Sequence, residues 1–431
     1  MKSKVAVVGV EGGLEEALVR LFRPFGGIPA VLAGRSRVFI KVNAIDFKPY
    51  CYTDPEVVRA LVGLFRDAGA RRVLVMDNCT QGNFTRLVFR VTGLARAVRE
   101  AGGEPLYLDE GKQERVMLPT LGYQVRVSRW VKRYLMDERE ENLYLSLPKL
   151  KTHSMATVTL GVKNQMGLLA HEDRMRDHNW KLHRKLADIY ALIRPDFTVI
   201  EGLHAVNHGH YPPQGLADRC VEELGVLIGG DDTLAVDAVG ADLLGIDPLR
   251  VEHLRLAAEG GWGTIDLGEI EVVGEREPFR RRFTPELLPD LPPGVRLIKG
   301  RERSCREGCL LNTIMALQTL HVDFGADGDF SVCMGKGLDP GELEGLGGRV
   351  LLVGDCAVEE AGEALTARLG KKMVREAPGC NNLRDVLAAL ASFMRVDPVG
   401  MVPVPPWQSA WLLLQARLHR TTARIPPLVA R

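Results

Sequence analysis

The chain has 431 residues, and its 56 lysines and arginines nearly balance its 55 aspartates and glutamates, which leaves a net charge of +1. At roughly 100–200 residues per domain, this length predicts two or three domains. The near-neutral balance excludes a protein that binds nucleic acid through bulk positive charge, because such domains carry a large basic excess.

Strand-like and helical segments alternate along the first two-thirds of the chain. In chain order the pattern predicts a strand at Val5–Val8, a helix at Leu14–Phe22, a strand at Arg37–Val42, a helix at Pro55–Ala68, a strand at Val73–Met76, a helix at Leu87–Ala101, strands at Pro105–Leu108 and Leu143–Leu147, a helix at Asp177–Ile193, strands at Thr198–Ile200 and Leu224–Ile228, and a helix at Thr233–Leu244. This alternation is typical of an α/β domain with a mostly parallel sheet.

A charged, proline-rich stretch separates this region from a second one. After it the pattern predicts a helix at Leu310–Leu320, strands at Phe330–Met334 and Arg349–Val353, and helices at Ala361–Leu369 and Asn382–Met394. We therefore predict a mostly parallel α/β domain over residues 1–275, a linker at 276–295, a smaller flavodoxin-like α/β domain over 296–400, and a proline-rich, amphipathic tail over 401–431.

No apolar run approaches the roughly 18–20 residues that a membrane span needs, so we predict no transmembrane segment. The first residues, MKSKVAVVGVEGG, resemble a strand rather than a signal peptide. The expected compartment is therefore the cytoplasm, where thiols stay reduced. The tail places Arg417, Arg420 and Arg424 beside Trp407 and Trp411. A short basic helix of this kind either lies on a membrane or partner surface or packs on its own domain.

Five of the eight cysteines fall between residues 305 and 380. Cys305 and Cys309 lie in a polar loop before a predicted helix, Cys356 follows a predicted strand, and Cys380 lies in a tight PGC loop. Loops at the carboxyl ends of parallel strands converge on one crevice. Four thiolates there can hold a [4Fe–4S] cluster or a zinc ion, unless the four thiols are incidental. Cys333, inside the strand FSVCM, is expected to be a core residue.

The segment Gly348–Leu390 reads GGRVLLVGDCA…APGCNNLRDVLAAL. It resembles the cluster-binding part of the small subunit of nickel–iron hydrogenases and its counterpart in respiratory complex I. There an apolar strand leads to a G-x-CA turn, and a PGCPP loop opens the last helix. The chain departs from that pattern in its C-x3-C pair and in Asn381 and Asn382, which replace the usual prolines. The resemblance implies a [4Fe–4S] cluster with the ligands Cys305, Cys309, Cys356 and Cys380.

A second resemblance covers residues 36–275. Its motifs are IKVN at Ile40–Asn43, TDPEVVRALVGLFRDAGARRVLVMDN at Thr53–Asn78, LPKLKTH at Leu147–His153, TLGVKNQMG at Thr159–Gly167, and GGDDTLAVDAVGADLLGIDP at Gly229–Pro248. In this order they resemble the DUF362 family, a domain of unknown function that often accompanies iron–sulfur modules. The family names no reaction, so the chemistry has to come from the residues.

Basic side chains concentrate where predicted strands end, in the IKVN and LPKLKTH motifs and shortly after the latter. Such a set can hold a carboxylate or phosphate through charge-assisted hydrogen bonds. Like-charge repulsion also lowers the pKa of one lysine, which makes it a candidate acid or base. We predict the catalytic residues Lys151, His153 and Lys163, and the substrate-binding residues Lys41, Asn43, Lys149, Asn164, Asp77 and Asp232. The alternatives are a solvated basic loop and, for Asp232, a helix cap.

Seven of the ten histidines lie between His153 and His210. Imidazole suits zinc, iron and nickel, so a mononuclear metal site in this region is an open alternative. The spacing matches no helical ligand pair, and the sequence does not decide the question.

Three functions are compatible with these patterns. The first is an iron–sulfur redox enzyme that acts on a small anionic substrate at the Lys/His edge of the N-terminal domain. The second is a non-catalytic electron carrier or assembly factor that docks a redox partner protein. The third is an isomerase or racemase that uses lysine and histidine, or a metal, for proton transfer while its cluster is structural. The sequence names neither the substrate nor the oligomeric state.

Overall fold

The computed structural model of the chain describes residues 2–179, 181–397 and 399–425. The strands in this part of the chain are β1 (Ser3–Gly9), β2 (Arg37–Val42), β3 (Arg72–Asp77), β4 (Glu104–Tyr107), β5 (Gln113–Met117), β6 (Gln124–Ser128), β7 (Asn142–Leu147), β8 (Lys149–His153), β9 (Thr157–Val158), β10 (Phe197–Val206), β11 (Val221–Gly230), β12 (Ile270–Val273), β13 (Val295–Lys299), β14 (Phe330–Met334), β15 (Arg349–Val353) and β16 (Val374–Ala377).

The α-helices are shorter and more numerous than the pattern predicts. They are α1 (Leu14–Phe22), α2 (Gly27–Leu32), α3 (Pro55–Asp67), α4 (Thr85–Val91), α5 (Leu94–Glu100), α6 (Arg129–Lys132), α7 (Gly161–Asn164), α8 (His171–Met175), α9 (Leu182–Leu192), α10 (Ala217–Cys220), α11 (Thr233–Leu243), α12 (Glu252–Glu259), α13 (Leu311–Phe324), α14 (Pro340–Glu344), α15 (Asp355–Leu369), α16 (Leu383–Phe393) and α17 (Pro406–Leu418). Trp180, within the helix predicted at Asp177–Ile193, and residues 426–431 of the predicted tail lie outside the described residues.

The large sheet has the order β12-β1-β11-β10-β7-β2-β3-β4. The strands β10, β7, β2, β3 and β4 are parallel neighbours. The strand β11 is antiparallel to both β10 and β1. The mostly parallel α/β sheet predicted from the sequence is therefore confirmed. The carboxyl ends of β2, β3 and β7 share one edge, here called the carboxyl edge. The last residue of β11, Gly230, pairs with Thr198 at the start of β10, and Thr198 pairs in turn with Ser146 near the end of β7.

Both faces of this sheet are covered, which explains the long apolar runs in its strands. Val38, Ile40 and Val42 of β2 pack with α1, α3 and α5 in one core cluster. Phe39, between them, packs on the other face with Tyr144 of β7, near the β5–β6 hairpin and α9. This two-residue alternation is the side-chain period of a strand. This alternation decides which side chains are buried against each face of the sheet.

The second sheet is parallel throughout and runs β13-β14-β15-β16, in chain order. In a flavodoxin-like sheet the second strand lies on one side of the first and the third strand lies on the other, so the strand order is 2-1-3-4-5. The predicted parallel α/β class is therefore confirmed, whereas the strand order differs from that of flavodoxin. The strands β13 and β16 have no predicted counterpart because VRLIK and VREA are short and charged.

The two α/β units are in contact near the carboxyl edge. Leu311 and Met315 of α13 belong to the core cluster that lies under β2 and β7. Lys48, in the loop after β2, forms a 2.9 Å ion pair with Asp323 at the end of α13. Between the units, Phe283 is buried against the N-terminal domain, so the segment predicted as a linker crosses that domain in contact with it.

No helix in the described part of the chain has the combination of length and apolar composition that a membrane span needs.

The N-terminal cap of α11 yields a stability prediction, because the carboxylate of Asp232 forms that cap. It accepts hydrogen bonds from the backbone N–H groups of Leu234 and Ala235 at 3.0 and 3.2 Å. We expect Asp232→Ala to lower the free energy of unfolding by about 1 kcal/mol, because two buried amides lose their partner. Urea titration measures the change.

The neighbouring Asp231 provides the matched control. It is exposed, and no hydrogen bond to its side chain is present among the described residues. Asp231→Ala should change the free energy of unfolding by less than about 0.5 kcal/mol. Equal losses in the two variants would contradict the capping role.

Candidate active site

Two predicted residues form a buried ion pair at the carboxyl edge. Lys41 lies near the end of β2, and its Nζ is 2.6 Å from Oδ1 of Asp77, the last residue of β3. Burial lowers the pKa of Lys41, and the Asp77 carboxylate opposes that shift. The other oxygen of Asp77 accepts the backbone N–H of Ala44. The pair therefore neutralises two charges and holds the loop after β2.

A glycine makes room for this pair. A Cβ at Gly167 would lie 2.5 Å from both Lys41 Nζ and Asp77 Oδ1. A side chain at this position would have to displace the ion pair, so the glycine of the TLGVKNQMG motif allows the segment after α7 to pass over the pair undisturbed.

Lys149 is also buried and paired. Its Nζ lies 2.9 Å from Oε2 of Glu201 on β10 and 3.2 Å from Oε1. The same carboxylate accepts the backbone N–H groups of Asp54 and Leu203. Because its charge is already matched inside the protein, Lys149 stabilises the fold at the edge rather than offering a free cation.

Lys163 is positioned by a short helix that a buried carboxylate holds in place. Asp237 of α11 accepts the N–H groups of Gly161 and Val162, the first residues of α7, at 2.6 and 2.8 Å. Gly161 packs so closely that a Cβ there would meet Asp237 Oδ1 at 2.8 Å. The anchored helix places Lys163 in the space above the carboxyl edge.

The Lys163 ammonium differs from its neighbours because no hydrogen-bond or ion-pair partner for its Nζ is present among the described residues. Burial lowers its pKa to about 7, and the charges of Lys151, Arg174 and Lys41 add to the shift. A buried cation without a counter-ion is costly. It therefore favours an anion that enters from outside.

Lys151 and two stacked histidines face the same region. Lys151 Nζ donates to the carbonyl of Cys51 at 2.7 Å, and burial lowers its pKa to about 8. The rings of His153 and His210 are parallel within 2°, with centroids 3.6 Å apart. Burial lowers the pKa of both well below the usual value, and the Lys163 charge contributes to both shifts. The imidazoles are therefore neutral.

The tautomer of His153 follows from its contacts. Its Nδ1 accepts the backbone N–H groups of Met155 and Ala156 at 3.1 and 3.2 Å. In the neutral ring the proton then lies on Nε2. His153 thus presents an N–H donor, a group suited to a carboxylate or phosphate oxygen.

The remaining predicted residues have other roles or remain open. Asn164 bridges Lys41 and Ser146 inside the fold. Asn43 donates no side-chain bond, and its buried Oδ1 has no partner within the described residues. Asp232 follows β11, which is antiparallel to β10, and its carboxylate caps α11. Its assignment to substrate binding stays a prediction.

Sequence reasoning missed the role of His210. The NHGH motif contains it, but its place depends on the loop after β10. That loop is tied to β8 because Thr152 exchanges hydrogen bonds with Gly209. A loop-to-strand contact of this kind leaves no periodic signal; the density of histidines was the only available clue.

The four cysteines assigned by resemblance lie at the carboxyl ends of the second sheet: Cys305 and Cys309 follow β13, Cys356 is in the first turn of α15 after β15, and Cys380 follows β16. Close backbone approaches bring these loops together. A Cβ at Gly308 would meet the carbonyl oxygen of Cys380 at 2.6 Å, and one at Gly354 would meet Cys309 Sγ at 3.2 Å. Burial raises the pKa of Cys309 to about 12, and the other three thiols, Cys305, Cys380 and Cys356, add to the rise.

This convergence is not a cage for a single ion. Within residues 2–179, 181–397 and 399–425, no three histidine, cysteine or carboxylate side chains are arranged to hold a metal ion. A [4Fe–4S] cluster places one thiolate on each of four irons, so its ligands stand farther apart than those of one ion. The [4Fe–4S] cluster at these positions stays a prediction.

The cysteine loops touch the segment that borders the Lys/His region. His178 Nδ1 lies 2.7 Å from the carbonyl oxygen of Glu307, between the first two cysteines. Burial raises the pKa of Cys380, and a hydrogen bond from the neighbouring Asn179 opposes the rise. Burial also lowers the pKa of His178 to about 3, with Lys163 contributing. The two candidate centres are therefore adjacent.

Comparison with known proteins supports the family resemblance predicted for the first domain. Residues 38–242 match the family model described as "Domain of unknown function (DUF362)". A thylakoid-associated protein of Synechocystis sp. is 27% identical over 258 residues, which cover 56% of this chain and 73% of that protein. The DUF362 resemblance is thus confirmed for this region. The resemblance of Gly348–Leu390 to hydrogenase small subunits stays a prediction.

Two solved structures are similar at low identity. The lactate racemase apoprotein from Thermoanaerobacterium thermosaccharolyticum has a TM-score of 0.35 and 10% identity, with 89% of this chain and 94% of that chain covered. A protein from Thermotoga maritima has a TM-score of 0.32 and 11% identity, with 77% and 74% covered.

The Lys149–Glu201 pair yields a stability prediction. We expect Glu201→Ala to lower the free energy of unfolding by about 3–5 kcal/mol, because it leaves a buried ammonium without its partner. Replacing both residues, as Lys149→Met with Glu201→Leu, should cost much less. Urea titration of the variants measures both changes.

A surface pair serves as the control. Arg72 and Glu104 form a 2.7 Å pair that is largely exposed. Glu104→Ala should cost no more than about 1 kcal/mol. If Glu201→Ala cost no more than that, the interpretation of Lys149 as a structural cation would be incorrect.

Lys163 yields a pH prediction. Below its pKa of about 7 the side chain is charged and can bind an anion; above it the charge is lost. We expect the affinity for inorganic phosphate or a simple carboxylate to fall by up to about tenfold per pH unit above 7. Isothermal calorimetry measures it. Lys163→Arg should keep binding at high pH, because arginine stays protonated.

The same group affects stability. Its folded-state pKa lies below the ordinary value of 10.5, so between pH 7 and 10.5 the unfolded chain holds more protons and stability rises with pH. Lys163→Met should stabilise the protein at pH 7 and flatten this slope. A slope that is unchanged in Lys163→Met would show that the side chain is not desolvated.

Proposed function

We propose that the chain is an iron–sulfur redox enzyme that acts on a small anionic substrate at the carboxyl edge. The observation that carries this proposal is the buried Lys163, whose ammonium has no hydrogen-bond or ion-pair partner among the described residues. It lies beside the neutral pair His153 and His210 and adjacent to the segments that carry the four cysteines. A buried cation without a counter-ion among the described residues supports anion binding. The neighbouring thiols support a cofactor within reach of that anion.

The residues divide the work. Lys163 binds the anion by charge, and Lys151 adds a second donor whose pKa of about 8 lets it hold or release a proton near neutral pH. His153 orients a substrate oxygen through its Nε2 proton. The ion pair Lys41–Asp77 keeps the floor of the site neutral, so that it does not repel the substrate. Burial excludes water and strengthens each of these interactions.

Cys305, Cys309, Cys356 and Cys380 would hold the [4Fe–4S] cluster. When bound, such a cluster accepts or donates single electrons. A redox partner protein would supply or remove them, and the partial exposure of Cys305, Cys356 and Cys380 would leave the cluster accessible to it.

Iron analysis tests the cofactor. Purified without oxygen, the chain should be brown and contain about four iron atoms and as many acid-labile sulfides. Cys→Ser at positions 305, 309, 356 or 380 should remove most of the iron. Cys333→Ser should retain it, because Cys333 is buried in β14. A chain that stays colourless after anaerobic reconstitution would refute the cluster.

Anion binding tests the site separately from the cofactor. Lys163→Met should abolish anion binding while the iron content is unchanged. If the wild-type chain holds the cluster but no anion binds, the electron-carrier function would replace the enzymatic one.

A second candidate function is proton transfer at a C–H bond next to a carboxylate. The observation that favours it is the pKa of about 7 at Lys163, which suits an acid or base at neutral pH. Such an enzyme would exchange substrate hydrogen with deuterated water without net oxidation. Exchange that persists in a cysteine variant lacking iron would favour this function over redox chemistry.

A further inference from the structure

The C-terminal helix α17 exposes an apolar stripe. Trp407, Trp411, Leu414 and Leu418 follow one another at spacings of four, three and four residues. This spacing places them on one face of the helix, along about 16 Å. All four are exposed, by 72, 56, 48 and 74%.

The opposite face of α17 is already used. Leu413 and Ala416 are buried against Phe84, just before α4, and against Leu87 of α4. The backbone after the helix continues this contact, because Thr422 donates to the carbonyl of Asp109. The helix is thus fixed on the N-terminal domain, and its tryptophan stripe points away from it.

The charges around the stripe are one-sided. Residues 399–416 contain no charged side chain, and the segment from there to residue 425 adds only basic ones and His419. Arg424 pairs with Glu172. Arg417 and Arg420 are exposed and have no ion-pair partner among the described residues. The surface therefore combines an apolar stripe with exposed arginines that have no ion-pair partner among the described residues. Such a surface is complementary to a layer that is apolar inside and anionic at its border.

We propose that α17 docks the protein on the surface of a membrane that contains anionic lipids. Tryptophan and arginine are suited to the lipid–water interface, where ring and stem are buried while polar groups stay hydrated. A convex, continuous stripe lies in a bilayer surface without needing a complementary groove. The helix would lie in the interface plane, with the N-terminal domain above it. This contact is independent of the redox function proposed above.

Vesicle sedimentation with the full chain tests the proposal. The chain should sediment with vesicles of phosphatidylcholine and phosphatidylglycerol, and less with phosphatidylcholine alone. Trp407→Gln with Trp411→Gln should abolish binding. Arg417→Glu with Arg420→Glu should weaken binding to the anionic vesicles by at least about fivefold per arginine, and added salt should do the same to the wild type.

Matched controls are available on other faces. Leu249 is exposed by 58% and Met117 by 51%, so Leu249→Gln with Met117→Gln removes similar apolar surface. That variant should bind vesicles like the wild type. Unchanged circular dichroism would show that each variant is folded.

Three results would overturn the proposal. The first is a wild-type chain that binds neither kind of vesicle. The second is vesicle binding that the tryptophan variant retains. The third is a dimer that the tryptophan variant converts to a monomer without any vesicle binding by the wild type, which would make the stripe an interface between copies of the chain.

Discussion

The cost of burying positive charge shapes the carboxyl edge of the large sheet. Four lysine side chains point into this region, and an ammonium group taken from water loses more free energy than packing returns unless something compensates it. Three of them are compensated locally: Lys41 by Asp77, Lys149 by Glu201, and Lys151 by the carbonyl of Cys51. For Lys163 no such partner is present in the described part of the chain. The fold thus compensates three of these cations locally and leaves Lys163 to an outside anion, which is why the proposed function centres on that residue.

The same constraint explains the surroundings of Lys163. Two stacked histidines in a desolvated region stay neutral, so they add donors without adding charge. The carboxylate of Asp237 accepts hydrogen bonds from two backbone N–H groups of α7 and does not pair with Lys163 as a counter-ion. A carboxylate free to pair with Lys163 would give this region a third closed ion pair. Because this nearby acid is occupied by backbone N–H groups, Lys163 is left available to an external anion.

Much of this edge could be predicted because parallel strands carry their carboxyl ends to one side. Lys41, Asp77 and Lys151 follow from that rule alone. Asp232 does not, because the apolar run LGVLIGG reads the same whether its strand is parallel or antiparallel. Only pairing with β10 decides the direction, and that is a property of the whole sheet. For the same reason the Lys149–Glu201 pair was invisible: the two residues are brought together by the register between β8 and β10.

The contact between the two candidate centres bears on the proposed redox function. Glu307 and Cys380 belong to the cysteine loops, and they meet His178 and Asn179, which lie in the segment between α8 and α9. A cofactor that only stiffened the second domain would not need this contact, since α13 already anchors that domain on the first. A cofactor that exchanges electrons with a bound anion does need it, because electron transfer weakens steeply with distance. The placement of the cysteine loops therefore argues for a redox role more strongly than the number of cysteines does.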